Sequence, residues 1–119
     1  MTDRMKILVI GAGAMGSTYG GLLALQDHHI HMVDTRQEVV DAISKHGLKL
    51  EGVCGTHQIA IPVSRTTPKG FDADCAMIWT DTNNTRHAAE EAALALSKNG
   101  YAVTFQNGIG NIEILCDVL

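Results

Sequence analysis

Gly11-Ala12-Gly13-Ala14-Met15-Gly16 is a G-x-G-x-x-G string whose chemistry would be that of the backbone itself. Gly11 would turn the chain tightly, Gly13 would let an anion approach the main chain, and Gly16 would let a following helix lie close on the preceding strand. The anion that suits this spacing is a pyrophosphate, held by the unsatisfied N–H groups and the positive end of the helix. Asp34 stands 21 residues after Gly13. A carboxylate there would accept hydrogen bonds from ribose 2′- and 3′-hydroxyls and repel a 2′-phosphate. Arg36 leaves two readings open, a partner for a 2′-phosphate or a solvated surface residue, and Asp34 has the alternative of capping the adjacent helix. The expected cofactor-binding residues are therefore Gly11, Ala12, Gly13, Ala14, Met15, Gly16, Asp34 and Arg36. The expected cofactor is NAD(P)H, with NADH somewhat favoured by Asp34.

Two later segments, Thr80 to Thr85 and Gln106 to Asn111, each follow an apolar run and are expected to face the same crevice. Gln106-Asn107-Gly108-Ile109-Gly110-Asn111 combines amides with two glycines. There the backbone can come close to a ring while Asn107 donates and accepts hydrogen bonds; the alternative is a glycine turn with Asn111 capping a helix. His28, His29 and His31 cluster, but adjacent histidines and one across a strand position do not converge as metal ligands. Cys54, Cys75 and Cys116 form no C-x-x-C pair and are expected to be free thiols, with Cys75 and Cys116 in the core. No catalytic residue and no metal ligand is assigned within the chain.

These residues need a scaffold that brings distant turns to one edge. Lys6–Ile10 is a continuous apolar run, the pattern of a parallel strand covered on both faces. Helical spacing follows from Ala14 to about Leu25. Ile30–Asp34 reads as a second strand and Gln37–His46 as a second helix stopped by Gly47. Leu48–Gly52 and Gln58–Val63 suit a small hairpin or edge strands. Cys75–Trp79 is a further buried strand. Thr82-Asn83-Asn84-Thr85 offers caps for an alanine-rich helix ending near Lys98-Asn99-Gly100, and Tyr101–Phe105 is another strand. Asn111 to Leu119 is helical without a stop signal, so the chain is expected to end inside a helix. Alternating strands and helices predict an α/β fold, a Rossmann-like doubly wound, mainly parallel sheet. The whole of residues 1–119 is expected to be one dinucleotide-binding domain.

Composition narrows the partners. With 119 residues, 45% hydrophobic and 18% charged, the chain can bury a core. A net charge of -4 leaves no polycationic surface for nucleic acid. No apolar stretch approaches the roughly 20 residues of a membrane span, and the short run ahead of Gly11 is no signal peptide, so a cytoplasmic location is expected.

Met5 to Ser17, Ala42-Ile43 with Gly47-Leu48, and Gln106-Asn107-Gly108-Ile109-Gly110-Asn111 together resemble the amino-terminal half of ketopantoate reductases (2-dehydropantoate 2-reductases). The resemblance covers essentially the whole chain. Its first string is shared with the wider 6-phosphogluconate-dehydrogenase-like superfamily, and the Asn-Gly-Ile-Gly string is the more particular signal. It implies hydride transfer from a nicotinamide cofactor to a small anionic 2-keto acid in pantothenate and coenzyme A biosynthesis. It also implies that Asn107 positions substrate or nicotinamide. The family's proton-donating lysine and a substrate-binding glutamate belong to a helical carboxy-terminal domain that is absent from this chain, so the isolated chain is expected to be inactive. A homodimer is left open. Two positions depart from the family pattern. Asp81 stands where the family usually has a lysine, and a carboxylate there repels an anionic substrate. The family's frequent arginine after the second strand is displaced, with Asp34 and Thr35 in its place and Arg36 beyond. Alternatives in keeping with these departures are the cofactor domain of another hydroxyacid dehydrogenase of the superfamily, or a non-catalytic NAD-sensing module.

Overall fold

The computed structural model describes residues 4–52, 55–80, 84–105 and 111–119. Five strands form one parallel sheet: β1 (Lys6–Ile10), β2 (His29–Val33), β5 (Val63–Ser64), β6 (Ala73–Ile78) and β7 (Leu96–Thr104), in the order β5-β2-β1-β6-β7. Helices α1 (Ala14–Leu25) and α2 (Gln37–His46) join the first strands, while α3 (Thr85–Ala95) and α4 (Asn111–Val118) follow β6 and β7. β3 (Leu48–Gly52) and β4 (Gly55–Ile59) form a separate antiparallel hairpin. The α/β, Rossmann-like doubly wound reading of the sequence is the observed architecture.

Period-two alternation in β1 explains the two-sided core. Leu8 and Ile10 point into a cluster with Val33, Ala76, Ile78 and the buried alanines of α3, whereas Ile7 and Val9 point into one with Ile30, Met32, Ile43 and Leu48. Alanine at Ala88, Ala89, Ala92 and Ala95 keeps α3 close to the sheet, each of them at most 2% exposed. Glycine does the same for α1. A Cβ on Gly20 would lie 2.8 Å from Met32 Cε, and one on Gly21 would lie 2.7 Å from Leu50 Cδ1 of the hairpin.

Several element boundaries differ from those read in the sequence. β2 ends at Val33, leaving Asp34 just beyond it, although the Asp34 N–H still donates to the Ser64 carbonyl at 3.1 Å. The segment expected as one strand over Gln58–Val63 is divided between the hairpin and the edge strand β5, so both suggested arrangements occur. The alanine-rich helix stops at Ala95 rather than near Gly100. Leu96 is already extended, pairs with Ala73 and packs on the core. The register then shifts before Cys75 pairs with Tyr101, and Gly100 passes so close that its Cβ would sit 2.7 Å from the Ala73 carbonyl. Packing of the half-buried Leu96 on the core and this close passage override the helix-favouring composition.

The three clustered histidines are separately engaged. His28 Nδ1 accepts from the Met5 N–H at 3.0 Å, and the His29 ring meets the Phe71 ring edge-on. The Ser64 hydroxyl spends its one hydrogen on the Thr66 carbonyl, so His31 Nε2 donates to Ser64 Oγ at 2.7 Å. Burial, then the neighbouring His29, lowers the His31 pKa. Cys75 is buried and Cys116 exposed, which corrects the expectation that both lie in the core. No helix among the described residues is long and apolar enough to cross a membrane.

Gly16→Ala tests the helix–strand approach, because its Cβ would lie 2.0 Å from the Gly11 carbonyl oxygen. Chemical denaturation should show a loss of about 3 kcal/mol or more, at the upper end of overpacking costs. A change within about 0.5 kcal/mol would refute the contact.

Candidate functional site

Strand order reverses between β1 and β6, since the chain runs outward through β2 and β5 before returning to the other side of β1. In such sheets the crevice forms beyond the carboxyl ends of the strands at that switch. A cleft of about 350 Å³ opens there, lined among others by Gly11, Gly13, Asp34, Arg36, Trp79 and Glu91.

The glycine turn forms its near wall. Gly11 has φ +102°, in the region that favours glycine, and its N–H donates to the Val33 carbonyl at 2.8 Å. Gly13 caps α1, and a Cβ built on it meets nothing within 4 Å. The backbone at Gly13 therefore borders open space, while Ala14 and Met15 begin the helical turn whose N–H groups have no intrahelical acceptor. No acidic residue lies in that first turn to compensate its positive end.

Asp34 is the electrostatic centre of the far wall and is only 7% exposed. Its Oδ2 accepts from the Ala12 N–H and from Arg36 Nη2, each at 2.8 Å; its Oδ1 accepts from the Arg36 N–H and Nε, each at 2.9 Å. Four donors occupy the roughly four acceptor positions of a carboxylate. Burial would raise the Asp34 pKa, but the Arg36 side chain, the Arg36 and Ala12 N–H groups and the Arg36 charge outweigh it and hold the carboxyl below its ordinary value. The same contacts raise Arg36. With the Arg36 side chain 52% exposed, this bidentate pair is worth no more than about 1 kcal/mol. The sequence places the right residue types together here without revealing that they occupy one another.

Trp79 closes the cleft beyond β6. Its ring stacks on Phe105 at 4.1 Å and on Tyr19 at 5.1 Å, with interplanar angles of 4° and 10°. Its Nε1 is buried and has no hydrogen-bond partner among the described residues. On α3, Glu91 is 8% exposed and receives the Thr67 N–H at 2.8 Å and the Thr67 hydroxyl at 2.5 Å, both on Oε2. His87 Nε2 lies 3.9 Å from Glu91 Oε1. Trp79, His87 and Glu91 were not among the site residues expected from sequence. The available signal was spacing, since Asn84, His87 and Glu91 follow i, i+3, i+7 and share a helix face. Asn107 and Asp81 lie outside the described residues. Among the described residues no group of three or more His, Cys, Asp or Glu side chains is placed to hold a metal ion.

The doubly wound sheet, its glycine turn and the switch-point cleft define a Rossmann-like α/β domain. A family model described as ketopantoate reductase PanE/ApbA matches residues 7–119, and the chain belongs to that family. It is 33% identical over 115 residues to a 2-dehydropantoate 2-reductase of Pyrococcus horikoshii, covering 96% of this chain and 36% of the relative. A 2-dehydropantoate 2-reductase of Halobacterium salinarum is 30% identical over 115 residues, covering 95% of this chain and 37% of the relative. The chain thus spans about a third of the length of the curated relatives it matches. The crystal structure of a PanE/ApbA family ketopantoate reductase from Ralstonia eutropha superposes with a TM-score of 0.82 at 32% identity, over 95% of this chain and 38% of that one. A D-mandelate dehydrogenase, solved with NADH and anilino(oxo)acetate, shares the fold with a TM-score of 0.85 at 23% identity, over 95% of this chain and 37% of that one.

The Asp34 geometry sets an acid dependence. Its folded pKa lies below its ordinary value of 3.8, so its stabilisation is complete above that value and disappears as pH falls through the folded one. Thermal melts of wild type and Asp34→Asn should differ at neutral pH and converge in acid. A gap that stays constant would remove the ionised carboxylate from the fold's support.

Proposed function

We propose that this chain is the nucleotide-binding part of a 2-dehydropantoate 2-reductase-like oxidoreductase, holding NAD(P)H for hydride transfer to a small anionic 2-keto acid. The observation that carries the reading is the open space at Gly13 beside the uncompensated start of α1, with Asp34 across the cleft. A pyrophosphate suits that space in shape and charge, since no atom lies within 4 Å of where a Gly13 Cβ would stand and the first turn of α1 offers unsatisfied N–H groups with no acidic side chain beside them. When bound, the nicotinamide cofactor supplies the hydride.

This chain's residues bind and orient. Gly11 and Gly16 fix the turn, and Gly13, Ala14 and Met15 hold the diphosphate. Ala12 holds Asp34 in place through its N–H. Asp34 accepts ribose hydroxyls once the half-exposed Arg36 side chain leaves two of its four positions. NADH is favoured because the remaining carboxylate charge repels a 2′-phosphate, while Arg36 moderates that preference. Trp79, stacked on Phe105, walls the end of the cleft past β6. Asn107 positions substrate or nicotinamide, and the family's lysine and glutamate act from the helical carboxy-terminal domain. Asp81 favours a second reading, the cofactor domain of another hydroxyacid dehydrogenase of the 6-phosphogluconate-dehydrogenase-like superfamily whose substrate tolerates a carboxylate there.

Trp79 is the sole tryptophan, which makes binding visible. Titration of the 119-residue chain with NADH should quench its emission and transfer energy to the bound reduced nicotinamide, and no 2-dehydropantoate reduction should follow. An unchanged emission together with no heat of binding would overturn the reading, and turnover would overturn the division of the active site. Asp34→Ala removes the ribose acceptor and frees Arg36. The ratio of NADH to NADPH affinity should fall by about tenfold or more, the range of one hydrogen bond to a charged group. Equal losses for both cofactors would eliminate Asp34 as the ribose carboxylate.

A further inference from the structure

Glu91 is more than a structural tie. Its Oε2 is engaged by both donors of Thr67, which links the segment after β5 to α3. That tie needs one oxygen. The other, Oε1, belongs to a side chain that is 8% exposed and lines the cleft, and the group beside it is His87 Nε2 at 3.9 Å, beyond hydrogen-bond distance. Among the described residues no donor lies at hydrogen-bond distance from Oε1. Among the described residues Trp79 Nε1 is the one fully enclosed side-chain polar atom without a partner, so Glu91 Oε1 opens onto the cleft, where it can accept from a ligand N–H.

The topology says which part of a ligand reaches it. With the diphosphate at Gly13 and the ribose at Asp34, the base extends away from the glycine turn. The cleft there is lined by Asp34 and Arg36 and by His87 and Glu91 of α3 with its cap Asn84, so a base bound there would lie among these residues. Resting on the dinucleotide reading above, we propose that Glu91 and His87 recognise the base of the cofactor, with Glu91 Oε1 accepting from the exocyclic amino group of adenine and the His87 imidazole donating to a ring nitrogen beside it. The pair offers an acceptor next to a donor, the complement of the amino group and ring nitrogen on an adenine edge. Hypoxanthine presents an oxo group where adenine has its amino group. Facing a carboxylate, that oxygen finds an acceptor rather than a donor and is repelled.

The test compares two ligands on one protein. The chain is titrated by calorimetry with NADH and with its deamino counterpart, reduced nicotinamide hypoxanthine dinucleotide. Wild type should bind the deamino compound about tenfold or more weakly, as expected for losing a hydrogen bond to a charged acceptor. In Glu91→Gln the Thr67 donors keep the amide oxygen on their side, so the amide nitrogen faces the cleft and can donate to the oxo group. The preference should then vanish or reverse, a change that a purely structural role for Glu91 would not produce. Equal binding of both compounds by wild type overturns the proposal while leaving the dinucleotide reading intact, and it needs no variant to fold. A preference for adenine that persists unchanged in folded Glu91→Gln overturns it as well, by assigning the discrimination to another group. Failure of wild type to bind either compound overturns the dinucleotide reading and this inference together.

Discussion

The fold rests on how closely α1 can approach the end of β1. Gly16 sits so near the Gly11 carbonyl that a single methyl group has no room, and Gly20 and Gly21 bring the rest of the helix down onto Met32 and the hairpin. That approach aims the start of α1 across the carboxyl edge of the sheet. Were the helix displaced outward by the width of a side chain, the turn at Gly11 would no longer reach the Val33 carbonyl, and Ala12 would no longer present its N–H to Asp34. The cleft is a consequence of packing before it is a matter of chemistry.

Asp34 is the second fastening and works across the first. One oxygen holds the glycine turn through Ala12 and the other holds the start of α2 through the Arg36 N–H. A single buried charge therefore sets the spacing between the ends of β1 and β2. Its two main-chain bonds are structural, and its two side-chain bonds to a half-exposed arginine are exchangeable. One carboxylate thus ties main-chain groups of two turns and a half-exposed side chain at once.

How far all this could be read in the sequence depends on the range of the interactions involved. β1, α1 and α2 carry their own boundaries, in the apolar run, the glycines and Gly47, and the structure keeps them as read. The end of α3 was not legible, because Leu96 and Lys98 favour helix and the pairing of Leu96 with Ala73, which holds the chain extended, is long-range. Within the site, the glycine turn, Asp34 and Arg36 announce themselves by type and spacing. Glu91 does not. Its burial depends on Thr67, 24 residues away, and its place at the cleft depends on where α3 lands. The saturation of Asp34 by Ala12 and Arg36 was equally hidden, since residue types tell which groups can bond and not which bonds are already made.

The composition of α1 has a consequence for cooperativity. Three of its 12 residues are buried glycines, each costing about 1 kcal/mol of helix propensity relative to alanine. A segment so poor in intrinsic order would not hold a helix alone, and it is helical here because the sheet lies on one side and the hairpin on another. The element nearest the cleft is thus ordered from outside. Whatever binds at its first turn is coupled through it to the hairpin and the sheet, so that occupancy of the cleft and integrity of the domain become one equilibrium.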